Sequence, residues 1–152
     1  MSNIEIWKPV PSKPGIMASS WGRIRLTRRR YAMPNGAMRS TNPRPRYGCK
    51  TKAGKTARHT YFGLVTKEHG NMKVHRLVCE AFHGAAPFAN AVVIHLNENG
   101  LDNRPENLRW GTQKENLNMP GFVAYCRSRI GDKSPVTKSR KSRKTQETET
   151  RI

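Results

Sequence analysis

One stretch of the chain, Val92–Asn116, constrains the fold and the chemistry more than any other. Its sequence is VVIHLNENGLDNRPENLRWGTQKEN, so an apolar run ends at His95 and a polar loop rich in Asn, Gly and Pro follows. Asn107 lies twelve positions after His95, and Asn116 lies twenty-one positions after it. A strand, a loop, a second strand and a helix would bring these positions together. An imidazole and amide oxygens would then surround one small space that suits a divalent metal and a phosphate.

The charge of the chain is strongly positive and unevenly distributed. Its 152 residues include 29 Lys and Arg against 10 Asp and Glu, a net charge of +19. Residues 1–57 carry 13 basic and 1 acidic side chain, residues 58–120 carry 7 and 6, and residues 121–152 carry 9 and 3. Two basic arms therefore flank a nearly neutral segment, which favours a polyanionic partner, nucleic acid before an anionic membrane.

Other features of the composition narrow the class of protein. The sequence has no apolar run long enough to span a bilayer and no basic amphipathic helix with a clean apolar stripe, so we expect no membrane partner. Three cysteines without a C-x-x-C pair fit a reducing compartment and argue against a thiolate zinc site. The N-terminal residues MSNIEIWKPV lack the layout of a secretory signal, so we expect a cytoplasmic location.

Hydrophobic periodicity predicts an α+β protein with a small core. Ile4–Leu26 has the pattern of short strands and turns, and Thr27–Ala57 that of an extended basic loop. After this loop we expect a hairpin, a helix, and then strand, loop, strand and helix. The corresponding segments are Thr60–Val74 for the hairpin, Val74–Phe82 for the helix, Val92–His95, Leu96–Asn107 and Leu108–Gly111 for the strand–loop–strand, and a final helix that starts after Thr112.

Two motifs resemble those of a known nuclease family. The string VHRLVCEAFHG (Val74–Gly84), followed by Val92–Asn116, resembles the homing-type HNH endonucleases common in bacteriophages. The catalytic unit of that family has the ββα-metal fold, also called the His-Me finger. The strings EIWKPV and SSWGRIR, within Glu5–Arg25, resemble the short NUMOD-like module that often precedes this unit.

The resemblance implies an organisation for the whole chain. We expect an N-terminal DNA-binding module at 1–28, a basic flexible loop at 29–57, an HNH nuclease domain with a hairpin-helix extension at 58–120, and a basic, flexible tail at 121–152. It also implies a phage-encoded protein that acts in the cytoplasm of a bacterial host. Nothing in the sequence implies an oligomer.

The resemblance also assigns roles to three residues. His95 matches the general base, which takes a proton from the attacking water. Asn107 matches the residue whose side chain orients that imidazole, and Asn116 matches a metal ligand on the helix. One divalent cation, Mg²⁺ or Mn²⁺, would stabilise the charge that develops on the phosphate and the leaving oxygen.

Ile94 departs from the family pattern. Relatives often carry Asp, Asn or His just before the base as a second metal ligand, and an isoleucine cannot replace it. The residues in the loop that could supply another oxygen are Asn97, Glu98, Asn99 and Asp102. We expect Asp102, together with Asn103, to bond to the loop backbone instead, as Asx residues in turns do.

Basic residues of the N-terminal arm are candidates for contacting DNA phosphates. They are Arg23, Arg25, Arg28, Arg29 and Arg30, and Arg76 is a further candidate that could equally be structural. The polar segment Arg39–Arg46 has residue types that could read bases, although it contains no recognisable groove-docking motif. We expect duplex DNA to be the partner.

The favoured function is a metal-dependent DNA endonuclease with one active site, which would nick one strand of a duplex. Because of Ile94, a second hypothesis stays open: a nuclease-derived protein that binds DNA or RNA with little or no catalysis. A structural component of a nucleoprotein particle is a weaker variant of this second hypothesis. Only the nuclease requires Mg²⁺ or Mn²⁺.

Overall fold

The computed structural model describes residues 4–52 and 60–129. The strands in these ranges are β1 (Trp7–Pro9), β2 (Ile16–Ser19), β3 (Ile24–Leu26), β4 (Arg30–Ala32), β5 (Met38–Ser40), β6 (Cys49–Lys52), β7 (Thr60–Thr66), β8 (Gly70–Lys73), β9 (Val92–His95) and β10 (Leu108–Gly111). The helices are α1 (Val74–His83), a 3-10 helix (Pro105–Asn107), α2 (Gln113–Leu117) and α3 (Pro120–Ser128). The chain divides into two compact units, residues 1–113 and 114–152. No helix in the described ranges is long and apolar enough to cross a membrane.

The N-terminal residues form a small antiparallel sheet in the order β1-β2-β3. Its inward side chains, Ile16, Ala18 and Ile24, are almost completely buried. They join one core with residues of β7, β8, α1, β9 and β10. The short strands expected over Ile4–Leu26 are therefore confirmed, and they share the core of the later segments.

The basic stretch is more ordered than the sequence predicted. Strands β4 and β5 form an antiparallel hairpin, and β6 pairs with β7, so the expectation of an extended loop over 29–57 is wrong for these strands. Every residue of β4 and β5 is exposed, so no apolar alternation marks the hairpin in the sequence. A Pro34-Asn35-Gly36 turn was the available signal, with Gly36 at φ +79°. Residues 53–59 lie outside the described residues.

The sheet β6-β7-β8 leads directly into α1, the helix that organises the core. Val74, Leu77, Val78 and Cys79 lie on one face of this helix and are buried. Helical spacing of apolar residues buries such a face against neighbouring elements, here β2, β7 and β10 among others. The helix predicted over Val74–Phe82 is confirmed, as is the hairpin that precedes it.

The segment that was expected to carry the chemistry has the predicted order of strand, loop, strand and helix. Strands β9 and β10 are antiparallel, with His95 opposite Leu108 and Ile94 opposite Arg109. The α+β class and the ββα order of the nuclease unit are thereby confirmed. In the second unit, α3 occupies the start of the segment for which a flexible tail was expected, and residues 130–152 lie outside the described residues. The domain boundaries drawn from the sequence stay predictions.

Candidate active site and nucleic-acid interface

His95 is the last residue of β9 and lies at the mouth of a loop that returns to β10. The pairing of the two strands continues one step beyond His95, because the Leu96 N–H donates to the Asn107 carbonyl over 2.9 Å. This pairing joins residues that are eleven positions apart in the sequence. His95 is buried, with 8% of the residue exposed to solvent.

The imidazole of His95 is hydrogen-bonded to Asn103. Nε2 of His95 lies 3.1 Å from Oδ1 of Asn103. An amide oxygen only accepts hydrogen bonds, so Nε2 carries the proton, and the lone pair of the neutral ring is on Nδ1. Asn103 was expected to bond to the loop backbone, and this expectation is wrong. Several Asx residues occur in the loop, and the sequence contains no signal that selects Asn103 among them.

Asn107 closes the loop that carries Asn103. Its Oδ1 accepts from the Asn97 backbone N–H at 2.9 Å, and its Nδ2 donates to Asn97 Oδ1 at 2.9 Å and to the Asp102 carbonyl at 2.8 Å. Only 7% of Asn107 is exposed, so these bonds are partly shielded from water. Asn107 thus fixes the shape of the loop, while its proposed direct action on the imidazole stays a prediction.

Two of the residues considered as replacement metal ligands are engaged within the loop. The Asp102 carboxylate accepts from Arg104 Nε at 2.9 Å, from Arg104 Nη2 at 2.8 Å and from Asn97 Nδ2 at 2.9 Å. The hydrogen bond from Arg104 lowers the pKa of Asp102. Asn97 Oδ1 accepts from Asn107 Nδ2 and from the Asn99 N–H. The described ranges contain no group of three or more His, Cys, Asp or Glu side chains that could hold a metal.

The side chain of Ile94 is a hydrocarbon that has no atom able to ligate a cation, and it is fully buried. Asn116 lies on α2, half-buried, and belongs to the second compact unit. Its role as a metal ligand stays a prediction.

Two aromatic rings from other elements pack beside His95. Tyr61 of β7 has its ring centroid 5.9 Å from that of His95, and His75 of α1 has its centroid 5.2 Å away, edge to face. The ring centroids of Tyr61 and His75 are also 5.2 Å apart.

Burial is the main cause that lowers the pKa of His75 to about 3, so this ring is neutral at neutral pH. His75 Nδ1 is buried and has no hydrogen-bond partner within the described residues. Neither ring was expected at the site from the sequence.

Three of the arginines predicted to contact DNA form an ion pair or a backbone hydrogen bond within the protein. Arg23 forms an ion pair with Glu5, which lowers the pKa of that carboxyl, and Arg29 forms an ion pair with Glu68. Arg76 donates to the Ala91 carbonyl at 3.2 Å and its guanidinium lies 5.3 Å from the Trp110 ring centroid, which favours its structural alternative.

The remaining candidates are Arg25 on β3, Arg28 just before β4 and Arg30 on β4. Arg25 stacks on the Trp7 ring at 4.5 Å, and Arg28 donates to Ser40 Oγ at 3.0 Å. Arg30 is on the exposed hairpin of β4 and β5, where Tyr31 is paired with Arg39. Residues 27–52 contain no Asp or Glu, so this hairpin presents positive charge without an acidic side chain of its own.

Comparisons with known proteins find one family model and one solved structure that are similar to this chain. Residues 72–118 match a family model described as HNH endonuclease, which confirms the family resemblance there. The resemblance of the N-terminal motif to a NUMOD-like module stays a prediction. A solved structure described as "DNA binding and cleavage by the HNH homing endonuclease I-HmuI" is similar with 26% sequence identity, a TM-score of 0.46, and coverage of 93% of this chain and 68% of that chain. No curated protein matches this chain.

Proposed function

We propose that this chain, which carries an HNH endonuclease segment at residues 72–118, is a metal-dependent DNA endonuclease that nicks one strand of a duplex. The observation that supports this proposal most is the buried imidazole of His95 with its Nε2 bonded to Asn103 Oδ1. A ring held in that way presents Nδ1 as the nitrogen that accepts a proton. A general base requires this combination of fixed tautomer and fixed orientation.

In the proposed reaction, His95 takes a proton from a water molecule that attacks the scissile phosphorus. The bond from Nε2 to Asn103 Oδ1 is retained and becomes stronger as the ring gains charge, because a charged donor forms a stronger hydrogen bond. The P–O bond to the leaving 3′ oxygen breaks as the new P–O bond forms, and the leaving oxygen takes a proton from a second water molecule. His75 is neutral beside His95, so the new imidazolium does not meet a second positive ring.

The described residues leave few protein ligands for the proposed cation. Asp102 and Asn97 are occupied within the loop, so the proposed protein ligand is the amide oxygen of Asn116, with water and phosphate oxygens completing the shell. Mg²⁺ or Mn²⁺, when bound, would stabilise the negative charge on the phosphate and the leaving oxygen. With so few protein ligands, metal affinity without DNA should be low.

The exposed hairpin of β4 and β5 is the proposed contact with duplex DNA. A two-stranded β-ribbon fits the major groove, and Arg30 and Arg39 would meet phosphates or base edges there. Arg29 is a weaker candidate, because Glu68 already neutralises its charge.

Plasmid nicking tests the proposal. Supercoiled plasmid with Mg²⁺ or Mn²⁺ should become open circular, and EDTA should prevent it. His95→Ala should abolish nicking and retain DNA affinity, whereas His69→Ala, a matched change of a histidine at the turn between β7 and β8, should leave nicking intact. Equal nicking by parent and His95→Ala would exclude His95 as the base.

The fully buried Ile94 favours one rival function, a nuclease-derived protein that only binds nucleic acid, because the position supplies no metal ligand. In that case the parent would bind duplex DNA or RNA with equal affinity in Mg²⁺ and in EDTA and would not nick plasmid under either condition.

A further inference from the structure

Gly22, at the turn between β2 and β3, lies against the backbone of Asn103. A Cβ built on Gly22 would be 2.7 Å from the Asn103 carbonyl carbon, 2.8 Å from its oxygen and 3.0 Å from the Arg104 nitrogen. Gly22 also has φ +74°, a conformation that side-chain-bearing residues rarely adopt. Only glycine therefore allows the N-terminal turn to approach the loop this closely.

The turn that presents Gly22 is held by several hydrogen bonds. The buried Ser19 hydroxyl accepts from the Arg23 N–H at 3.0 Å and from the Trp21 N–H at 3.3 Å. The Gly22 N–H donates to the Ser19 carbonyl at 3.0 Å. Such a turn resists displacement, because any movement would break several hydrogen bonds that are partly shielded from water.

The side chain of Asn103 makes a single hydrogen bond among the described residues, to His95. Asn103 is 2% exposed to solvent, and its Nδ2 has no hydrogen-bond partner within the described residues. The bond from its Oδ1 to His95 Nε2 is therefore directed chiefly by where the Asn103 backbone lies. The Asn103 backbone packs directly against the turn at Gly22.

We infer that Gly22 is a positioning residue for His95: the N-terminal turn sets the backbone of Asn103, and Asn103 in turn sets the tautomer and orientation of the imidazole. This inference rests on the proposed function only in taking His95 to be the base. The N-terminal module is then part of the catalytic machinery as well as a candidate DNA-binding element. A nuclease segment without this module would contain His95 but would leave Asn103 unsupported.

Gly22→Ala tests the inference, with Gly36→Ala as the matched control. Both glycines have a left-handed φ, +74° and +79°, so both variants carry similar backbone strain. A Cβ at Gly36 would meet nothing within 4 Å, whereas a Cβ at Gly22 must displace Asn103. Nitrogen-15 NMR of the imidazole in the free protein should show that His95 loses its Nε2–H tautomer preference in Gly22→Ala and keeps it in Gly36→Ala.

Nicking kinetics and a double variant complete the test. Gly22→Ala should lower kcat by about a hundredfold, as displacement of a catalytic group by about an ångström does, without weakening DNA binding. Combined with Asn103→Ala, it should add nothing to the loss caused by Asn103→Ala alone, because both act through the same bond. If Gly22→Ala fails to fold, Ser19→Ala, which loosens the turn without adding a methyl group, takes its place in both measurements.

An unchanged His95 tautomer in the Gly22 or Ser19 variant, or fully additive losses with Asn103→Ala, would overturn the inference. The NMR measurement requires no cleavage, so it separates a failure of this inference from a failure of the proposed nuclease function.

Discussion

The ring of His75 lies edge to face with the ring of His95, their centroids 5.2 Å apart. Three causes lower the pKa of His75: burial first, then the neighbouring His95, and then the positive charges of Arg76 and Lys73. At neutral pH, His75 therefore acts as an uncharged aromatic wall of the site. Two charged rings at this distance would repel each other, and the low pKa of His75 avoids this.

A pH dependence of stability follows from His75. The unfolded chain binds a proton at this residue near pH 6.5, whereas the folded protein resists it until about pH 3, so the free energy of unfolding falls as pH decreases from 6.5 toward 3. His75→Phe should remove this part of the pH dependence, measured by urea unfolding at pH 7 and pH 4.5. Tyr61→Phe keeps a ring in the same cluster and should retain the pH dependence of the parent. Identical slopes for the parent and His75→Phe would show that His75 titrates normally.

The salt dependence of DNA binding should reveal which arginines meet phosphate. Each phosphate contact contributes about −0.9 to the slope of log K against log[salt] on duplex DNA. Arg30→Gln and Arg39→Gln should each make the slope less steep by about that amount, because no described carboxylate pairs with either residue. Arg29→Gln should change it less, since Glu68 already neutralises that charge. Fluorescence anisotropy with a labelled duplex across a salt series measures all three, and an unchanged slope in both Arg30→Gln and Arg39→Gln would rule out the hairpin as the main contact.

Ile94→Asp tests whether the position before the base borders the cation. Ile94 is fully buried, so an aspartate there should destabilise the metal-free protein by several kcal/mol, about 3 or more. Mn²⁺ should recover part of this loss, because the new carboxylate can ligate it, and thermal unfolding with and without Mn²⁺ measures the recovery. Ile94→Thr loses apolar contacts without adding a carboxylate and should show no recovery. A response to Mn²⁺ that is the same in both variants would place the cation elsewhere.

The sequence was sufficient to predict those elements whose structure depends on residues close together along the chain. The helix α1, the hairpin before it, and the pairing of β9 with β10 all join residues close in sequence, and their apolar spacing is visible without coordinates. The match of residues 72–118 to an HNH endonuclease model agrees with the motif recognised there, and the imidazole of His95 lies at the predicted strand end. The exposed hairpin of β4 and β5 was missed, because exposed strands bury no apolar face and leave no alternation to detect.

What only the tertiary structure decided is which side chains surround His95. Any of the Asx residues in the loop could bond to backbone or to an imidazole, and the folded loop selects Asn103 for the imidazole and Asn107 for the loop itself. Tyr61, His75 and Gly22 reach the site from β7, α1 and the N-terminal turn, far away in sequence. The sequence by itself therefore determined the chemical groups and their order. The contacts between these groups arise from packing between segments that are distant in the sequence, and local sequence patterns do not predict such packing.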